Sequence, residues 1–365
     1  MNARELPRVS VVMPIRNEAA FIRRGLQAVL QQDYPAELVE VIVADGRSDD
    51  GTREIVGEIA RQDSRVTLLD NSGRIVATGL NQALQTATGD VIVRVDGHCE
   101  IAPDYVRRCV EHLAQGGVDG VGGPLETIGR TPTARAIAAA MSSRFGVGDS
   151  AFRTVKGRTQ LVDTIAFPAY TREVLDRAGP FDVELVRNQD DEYNYRIRKM
   201  GGKLLLAADV RSRYYSRSTF ASLWRQYFQY GYWKVRVLEK HPLQMRARQF
   251  VPPAFVLALA SAVLAAPWPG GRVWAAAVAG TYLAANIAAA LFVAASHGRL
   301  LLAPRISAAF IVLHVSYGAG FLVGLASRLD RFGSLFSSQV FRRSRRLAAP
   351  EARPARTVTG EAKPN

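Results

Sequence analysis

The chain has 365 residues, of which 48% are hydrophobic and 22% are charged. These averages exclude a disordered or fibrous protein, and the length suffices for about two domains. The charges are unevenly distributed, however. Between residues 251 and 327 the only charged residues are Arg272, Arg299 and Arg305, where the average composition would place about seventeen. Such a segment is compatible with lipid, so the sequence predicts a membrane-associated protein and not a soluble one.

The net charge of +14 indicates an acidic partner. Residues 328–365 contribute nine basic and three acidic side chains, a local charge of +6. Arginine clusters such as residues 342–346 bind anionic lipid headgroups, at about 1 kcal/mol per charge near the surface. No recognised nucleic-acid module accompanies these residues. We therefore expect anionic membrane lipids as partners, no nucleic acid, and a basic, disordered tail over residues 328–365.

Two features indicate the compartment. The two cysteines, Cys99 and Cys109, cannot form a disulfide framework, which favours a reducing environment. Residues 1–8 carry no apolar core of signal-peptide length, and Pro14 interrupts the first apolar run. We expect the N-terminal part to stay in the cytoplasm.

The first hundred residues alternate β-branched runs with helical patterns, which predicts a parallel sheet with crossover helices. Strands are predicted at residues 9–13, 39–44, 66–69 and 91–95. Helices are predicted after an N-cap at Asn17, over residues 51–62 and over residues 77–86. In open α/β sheets ligands bind beyond the carboxyl ends of the strands. The loops at residues 14–18, 45–52 and 96–100 are therefore expected to form one cleft.

The middle of the chain is more mixed. Helices are predicted over residues 103–114 and 190–200, and a helix of small residues over 133–145 that rests on the membrane interface. Residues 218–240 form an amphipathic aromatic stretch that leads towards the membrane.

Three hydrophobic segments follow, at residues 251–268, 273–295 and 306–326. The second and third reach the roughly 20 residues needed to span hydrocarbon, whereas the first is marginal and contains Pro252 and Pro253. An odd number of spans would place the Arg-rich tail outside, against the positive-inside tendency. Either one segment is re-entrant or interfacial, or the tail breaks this tendency, and the sequence leaves both open.

The first chemical candidate joins residues 14–18 with residues 45–52. Both are polar loops directly after predicted strands, where a nucleoside can lie and have its edges read. Asp45 is placed to accept a hydrogen bond from a base N–H. The alternative is ordinary turn and cap chemistry, which uses the same residue types.

The second candidate is Asp96 with His98, at the end of the fourth predicted strand. A hard divalent cation held by one carboxylate or imidazole and by phosphates neutralises a diphosphate leaving group. An isolated Asp-x-His is more often solvated, but its position after a strand favours the cleft.

The third candidate is the acidic run at residues 189–192, which begins a helix. Carboxylates at a helix N-terminus often only complement the helix dipole. A general base, in contrast, must lie inside the cleft to accept a proton from an acceptor hydroxyl. We expect one of Asp190 and Asp191 to be this base and the other to be solvated.

The fourth candidate is the stretch at residues 225–234, which contains Gln226, Gln229 and Tyr230. The pattern is equally typical of an aromatic belt at the membrane surface and of a set of side chains that bind pyrophosphate.

These four elements, in this order, resemble a family-2 glycosyltransferase of the inverting GT-A type over residues 8–240. The resemblance is carried by residues 10–18, by residues 43–52 and by residues 87–90 before Asp96. It implies an α/β fold, a Rossmann-like mixed sheet for nucleotide-diphospho-sugars, followed by C-terminal transmembrane helices. The domains expected are a catalytic domain at 1–240, a membrane region at 250–327 with two to three helices, and the tail. Within the family, the chain is similar to membrane-bound exopolysaccharide glycosyltransferases of the succinoglycan type.

The resemblance also implies roles for individual residues. It implies that Pro14, Glu18 and Asp45 contact the nucleoside. Asp96 and His98 match the metal-binding motif, and Asp190 matches the catalytic base. The place of the family's Gln-x-x-Arg-Trp-like segment is taken by Gln226, Gln229 and Tyr230. Substrate-binding candidates further include Asn17, Arg74 and Asp191. Three departures stand out: His98 replaces an Asp, Gln189 replaces a Glu, and Gln229-Tyr230 replaces Arg-Trp.

The predicted function is inverting, metal-dependent sugar transfer with Mn²⁺ or Mg²⁺. The donor is a nucleoside diphosphate sugar, with UDP as the expected carrier, and the acceptor is a polyprenyl-diphosphate-linked saccharide of a surface glycan. The chain would be a multi-pass protein of the inner (plasma) membrane with a cytoplasmic catalytic domain, and an oligomer is left open. Two alternatives remain, a polyprenyl-phosphate sugar transferase and a non-catalytic nucleotide-binding scaffold.

Overall fold

The computed structural model describes residues 6–328. The strands, in chain order, are β1 (Val9–Ile15), β2 (Val39–Asp45), β3 (Val66–Asp70), β4 (Val91–Arg94), β5 (Cys99–Ile101), β6 (Gly120–Gly122), β7 (Leu125–Ile128), β8 (Gln160–Val162), β9 (Ala169–Thr171), β10 (Leu204–Leu206) and β11 (Ser212–Tyr215). The helices are α1 (Ile22–Leu30), α2 (Thr52–Gln62), α3 (Val76–Thr86), α4 (Tyr105–Ala114), α5 (Pro132–Met141), α6 (Arg144–Val147), α7 (Ala151–Thr154), α8 (Arg172–Ala178), α9 (Gln189–Lys199), α10 (Phe220–Lys240), α11 (Val251–Ala265), α12 (Pro269–Ser296) and α13 (Ala303–Ala326).

An eight-stranded mixed sheet forms the centre of the molecule, in the order β3-β2-β1-β4-β9-β6-β10-β8. The first four of these strands are parallel, as the alternating sequence pattern predicts. Strand β9 then runs antiparallel between β4 and β6. The predicted α/β class with a Rossmann-like mixed sheet is therefore confirmed.

Strand β1 shows why this half of the sheet is readable from sequence. All seven of its residues are buried, because helices cover both faces of a parallel sheet and the strand reads as one apolar run. Its register pairs Ile15 with Asp45 of β2, and Asp45 in turn pairs with Asp70 of β3. The carboxyl ends of these strands thus meet at one edge, where the polar loops begin.

Two predicted helix boundaries differ from the structure. Helix α1 begins at Ile22 with Phe21 at its N-cap, whereas Asn17 adopts a left-handed backbone with φ of 57° and lies in the loop before it. The predicted helix at 133–145 is divided into α5 and α6. The division occurs because the Ser143 side chain accepts a hydrogen bond from the Gly146 N–H and so caps a new helix.

A second, three-stranded sheet has the order β5-β11-β7. It places the β4–β5 connection, which carries Asp96 and His98, beside β11. The His98 ring packs edge-on against Tyr214 of β11, with ring centroids 5.0 Å apart. The small sheet therefore fixes the position of the predicted metal motif.

Three helical segments are long and apolar enough to cross a membrane: Ala247–Ala265, Pro269–Ser296 and Leu300–Ala326. The two prolines of the first lie in the first turn of α11, where a missing N–H costs no helical hydrogen bond. Residues up to Gly324 belong to one compact unit. The predicted basic tail, apart from Arg328, lies outside the described residues, and the predicted domain boundaries stay predictions.

Candidate active site

A single cavity of about 1180 Å³ opens at the carboxyl ends of β1 and β4 and extends to α9, α10 and α13. Eleven of the twelve predicted site residues line it: Pro14, Asn17, Glu18, Arg74, Asp96, His98, Asp190, Asp191, Gln226, Gln229 and Tyr230. Segments separated by more than two hundred residues in sequence are thus brought to one place.

Asp45 is the exception, and it corrects the prediction that its carboxylate faces a base. The residue is 0% exposed and is not part of the cavity wall. Its carboxylate accepts hydrogen bonds from the Ser48 hydroxyl at 2.5 Å and the Ser48 N–H at 3.2 Å, and it pairs with Arg53 at 3.2 Å. Asp side chains commonly satisfy the N–H groups of their own turn. Asp45 therefore closes the loop at residues 45–52 from within.

The loop at residues 14–18 is joined directly to the loop at 45–52. The Asn17 N–H donates to the Ser48 hydroxyl at 2.9 Å, and the Asn17 amide donates to Asp49 at 2.9 Å. The Glu18 N–H donates to the Thr52 hydroxyl at 2.8 Å. These bonds hold the two loops together at this edge of the cavity.

Glu18 has a different partner from the one expected. Its carboxylate oxygen lies 2.7 Å from Nδ1 of His98, so Glu18 fixes the orientation of the imidazole instead of reaching only towards a nucleoside. A histidine that binds a metal commonly donates its other ring N–H to a carboxylate. The pair therefore has the arrangement of a metal ligand with its supporting carboxylate.

Arg94, at the end of β4, is a site residue that the prediction missed. Its guanidinium donates to Asp96 through Nε at 3.0 Å. Burial alone would lower the pKa of Arg94, but the negative charges of Asp96 and Asp190 raise that pKa above its usual value. One buried cation thus interacts with both carboxylates. An arginine inside the apolar run at residues 91–95 was the available signal, because a buried charge needs a partner.

Helix α9 begins at the cavity wall, with Asn188 at its N-cap in a left-handed conformation. Asp190 accepts a hydrogen bond from the Asp191 N–H at 2.9 Å. We expected one of the two aspartates to be solvated. Asp191 instead forms an ion pair with Lys234 and accepts a hydrogen bond from the Gln244 amide at 2.6 Å. Both residues line the cavity.

Gln189 supplies an acceptor next to Asp190. Its side chain is buried and lines the cavity. Within residues 6–328, no hydrogen-bond partner reaches its Oε1 atom. A buried carbonyl oxygen without a hydrogen-bond partner is energetically costly.

The polar side chains of α10 are bound mainly to protein groups. Gln226 donates to the Tyr230 hydroxyl at 2.9 Å and accepts from Arg217 at 3.4 Å. Gln229 accepts from Arg187 at 3.0 Å. This network gives the cavity wall a fixed shape and holds two arginines against it.

The far end of the cavity was also missed. It is lined by Phe255 of α11, Tyr282 of α12, and Leu313, His314 and Tyr317 of α13. No sequence signal identified these residues, because an apolar helix reads as a membrane span whichever protein surface it packs on. Further cationic side chains along the cavity are Arg144, Arg153, Arg187, Arg217, Lys234 and Arg248.

The described residues contain no group of three or more His, Cys, Asp or Glu side chains able to hold a metal ion alone. Asp96 and His98 offer a carboxylate oxygen and an imidazole nitrogen to the same cavity. Such a pair fits a hard cation that completes its coordination with phosphate oxygens of a ligand. It does not fit a structural metal held only by protein.

Comparisons with known proteins identify the family and the fold. Residues 10–179 match the sequence profile of Glycosyl transferase family 2. The succinoglycan biosynthesis protein ExoA of Rhizobium meliloti (strain 1021) is 32% identical over 337 residues, which are 88% of this chain and 96% of that protein.

A second relative, from Methanococcus voltae, is named dolichyl N-acetyl-alpha-D-glucosaminyl phosphate 3-beta-D-2,3-diacetamido-2,3-dideoxy-beta-D-glucuronosyltransferase. It is 25% identical over 240 residues, 64% of this chain and 74% of that protein. Among solved structures, the mannosyltransferase PcManGT from Pyrobaculum calidifontis, in complex with GDP-Man and Mn²⁺, is similar with a TM-score of 0.53 and 25% identity, covering 86% of this chain and 88% of that one. This similarity confirms the GT-A fold.

Proposed function

Because this chain belongs to glycosyl transferase family 2, we propose that it is a membrane-anchored inverting enzyme that moves a sugar from a nucleoside diphosphate sugar to a lipid-linked saccharide. The family membership and the apolar C-terminal helices support the general part of this proposal. The donor, the acceptor and the stereochemical course are the specific part.

One observation carries the proposal. Asp96 and Asp190 line the same cavity and both interact electrostatically with the buried Arg94. Inverting transfer needs a proton acceptor on one side of the anomeric carbon and charge stabilisation for the leaving group on the other. Asp190 would accept the proton, and Asp96 would help to hold a cation that neutralises the leaving diphosphate.

Asp190 is the proposed base. One of its oxygens already accepts the Asp191 N–H, which orients the carboxylate and leaves the other oxygen for the acceptor hydroxyl. Lys234 neutralises Asp191, so a second free carboxylate does not repel the charge that Asp190 carries.

A divalent cation, when bound, would neutralise the charge that develops on the leaving diphosphate. Asp96 and His98 would hold it, and Glu18 would orient His98. The cavity fits this use because its two candidate protein ligands leave positions for phosphate oxygens. Mn²⁺ in the PcManGT complex supports a divalent ion such as Mn²⁺ or Mg²⁺.

We place the nucleoside along Pro14 and Asn17, with Arg74 near the phosphates. A UDP-sugar is the expected donor. The GDP-Man bound to PcManGT makes a GDP-sugar the first alternative to test.

The proposed acceptor is a polyprenyl-diphosphate-linked saccharide of a bacterial surface polysaccharide, taken from the cytoplasmic side of the plasma membrane. Supporting this, ExoA is named for succinoglycan biosynthesis, and the Methanococcus enzyme is named for a dolichyl-linked sugar phosphate. The apolar end of the cavity, at Phe255 and Leu313, is the proposed side from which the lipid approaches.

The test is a screen of radiolabelled nucleoside diphosphate sugars on membranes that contain the expressed chain and an acceptor-lipid extract. We expect one donor to label the lipid fraction, with EDTA abolishing and Mn²⁺ or Mg²⁺ restoring the transfer. Mass analysis of the product distinguishes a diphosphate-linked saccharide from a monophosphate-linked sugar, which would support the alternative transferase. Absence of transfer and of nucleoside diphosphate release with every donor would contradict the proposal and favour a binding scaffold.

A further inference from the structure

We propose that only α11 and α12 cross the bilayer, as one hairpin, and that α13 lies along the catalytic unit at the membrane surface without crossing. The inference rests on the proposed membrane anchoring, but it requires no particular donor, acceptor or reaction.

Helices α12 and α13 are equally apolar but differ in how much of their surface is buried by protein. The spans containing α12 and α13 have the same mean hydropathy, 1.8. In the most apolar window, however, 44% of the residues of the last helix are buried inside the protein, against 17% for α12 and 11% for α11. Protein therefore covers nearly half of this window of α13, whereas the hairpin presents most of its apolar surface outward.

The first half of α13 packs against α6 of the catalytic unit. The Phe310 ring lies edge-on to Phe145, with ring centroids 4.8 Å apart. His314 Nε2 lies 2.8 Å from the Phe145 carbonyl oxygen. A polar bond to the backbone of the catalytic unit thus anchors the middle of this helix.

The second half of α13 packs backbone to backbone against α10. A Cβ atom added to Gly320 would lie 2.0 Å from the Phe228 carbonyl oxygen, and one added to Gly324 would lie 2.7 Å from that of Tyr232. On the facing helix, a Cβ added to Gly231 would lie 2.0 Å from the Tyr317 carbonyl oxygen. Only glycine permits this approach on both sides.

These contacts conflict with a transmembrane α13. A crossing helix needs about 30 Å of hydrocarbon around it, yet α13 contacts the catalytic unit from Phe310 to Gly324. Phe255 of α11 and Tyr282 of α12 line the same cavity as His314 and Tyr317, so cavity lining does not distinguish the three helices. The distinction rests on the backbone-to-backbone packing of α13 on α10.

The hairpin contacts α13 through Tyr282 and Asn286, but more of its surface is exposed than that of α13. Phe255 of α11 stacks on Tyr282 of α12 at 4.2 Å, and Trp274 donates to Ser261 at 3.0 Å. Outside these contacts its long apolar side chains are exposed: Leu257, Val263, Leu264, Val273, Leu283 and Ile287. At the tip, Trp268 and Trp274 are also exposed, as expected at a membrane–water interface.

Two crossings return the chain to the side of the catalytic unit. This removes the conflict found in the sequence, where three spans place the basic residues after 328 outside. Arg299 and Arg305, which flank the α12–α13 connection, then also lie on the cytoplasmic side, as the positive-inside tendency favours.

The experiment uses the full chain with single cysteines added at exposed positions. Gly270 at the hairpin tip, with no atom within 4 Å of an added Cβ, becomes Gly270→Cys. The exposed Leu301 between α12 and α13 becomes Leu301→Cys. Lys156→Cys marks the catalytic unit, and the native Cys99 and Cys109 are buried. A membrane-impermeant maleimide is applied to intact and to permeabilised cells. In parallel, alkaline phosphatase or green fluorescent protein is fused to the C-terminus.

We expect Gly270→Cys to be labelled in intact cells, and Leu301→Cys and Lys156→Cys only after permeabilisation. The C-terminal fluorescent protein should be bright and the phosphatase inactive. An active phosphatase with a dark fluorescent protein would show that α13 crosses and would overturn the inference. Labelling of Gly270→Cys only after permeabilisation would overturn the crossing hairpin. Absence of sugar transfer would leave this pattern unchanged, so failure of the proposed function is distinguishable.

Discussion

The two walls of the cavity are built differently. The strand-side wall comprises residues 14–18 with Asp96 and His98, and it is held by loops that follow neighbouring parallel strands. The helix-side wall comprises Asp190, Asp191, α10 and α13. Its contacts join distant segments, such as Lys234 to Asp191 and His314 to Phe145.

The difference indicates a division of labour. The strand-side wall is fixed by the sheet and by hydrogen bonds between adjacent loops, so we expect it to bind a donor without help from lipid. The helix-side wall depends on helices that the proposed anchoring places at the membrane. We therefore expect substitutions on the first wall to act on donor and cation binding, and those on the second to act on turnover or on assembly of the site.

The largest effect on the transfer rate is expected at Asp190. Asp190→Asn removes the proposed base and should lower the transfer rate by about 10³-fold, within the usual range for general-base loss. Donor affinity should change little, because the strand-side wall is untouched. Rates of lipid labelling and donor titrations measure the two quantities.

Asp176→Asn, an exposed position on α8 outside the cavity, is the matched control. Undiminished turnover of purified Asp190→Asn would show that Asp190 is not the general base.

A second substitution sharpens the description of the strand-side wall. Glu18→Gln should weaken cation binding by about 10–100-fold, because the carboxylate that orients His98 is lost. Saturating Mn²⁺ should restore most of the activity. The measurement is the cation concentration for half-maximal transfer, compared with Glu37→Gln, an exposed position outside the cavity. An equal cation requirement in both variants would mean that Glu18 serves another purpose.

The helix-side wall is tested by a pair of glycines in apolar helices. Gly320→Ala places a methyl group against the Phe228 carbonyl and should destabilise the protein by about 1–3 kcal/mol, as overpacking does. Gly280→Ala in α12 meets no atom within 4 Å and should be neutral or slightly stabilising. Thermal unfolding in detergent compares the two. Equal midpoints would contradict the close packing of α13 on α10.

The smallest effect concerns an ion-pair group at the far end of α10. Lys240 and Arg236 bind Glu184 and lower its pKa from 4.5 to about 2. A lowered pKa in the folded state contributes stability above pH 4.5 that is lost as the pH falls towards 2. The gap in melting temperature between the wild type and Glu184→Gln should therefore be constant above about pH 5 and should shrink below it. Glu173→Gln, a more exposed carboxylate on α8, should show no such gap. A pH-independent gap would contradict the ion-pair origin.

Much of the strand-side wall was predictable from residues alone. Apolar runs such as residues 9–13 and 39–44 specify buried parallel strands, because each must be covered on both faces. Parallel strands direct the loops after them to one edge, so the approach of Asn17 to Ser48 and of Asp96 to the cavity follows from order along the chain. The position of Asp190 followed from the resemblance and not from periodicity.

Side-chain partners were not predictable in the same way. Asp45 follows its strand as expected, yet local bonds to Ser48 and a pair with Arg53 turn it away from the cavity. Glu18 reaches His98 because the second sheet brings the β4–β5 connection to it. Such choices depend on which acceptor is nearest in space, and sequence spacing does not contain that information.

The amino-acid sequence by itself determined the parallel strands of the first half, the polar loops after them and the apolar character of the last three helices. It did so because hydrophobic periodicity and turn chemistry are local properties. Only the tertiary structure decided that α13 covers the catalytic unit while α12 presents its side chains outward. An apolar surface is removed from water equally well by protein or by lipid, so hydropathy alone cannot choose between them.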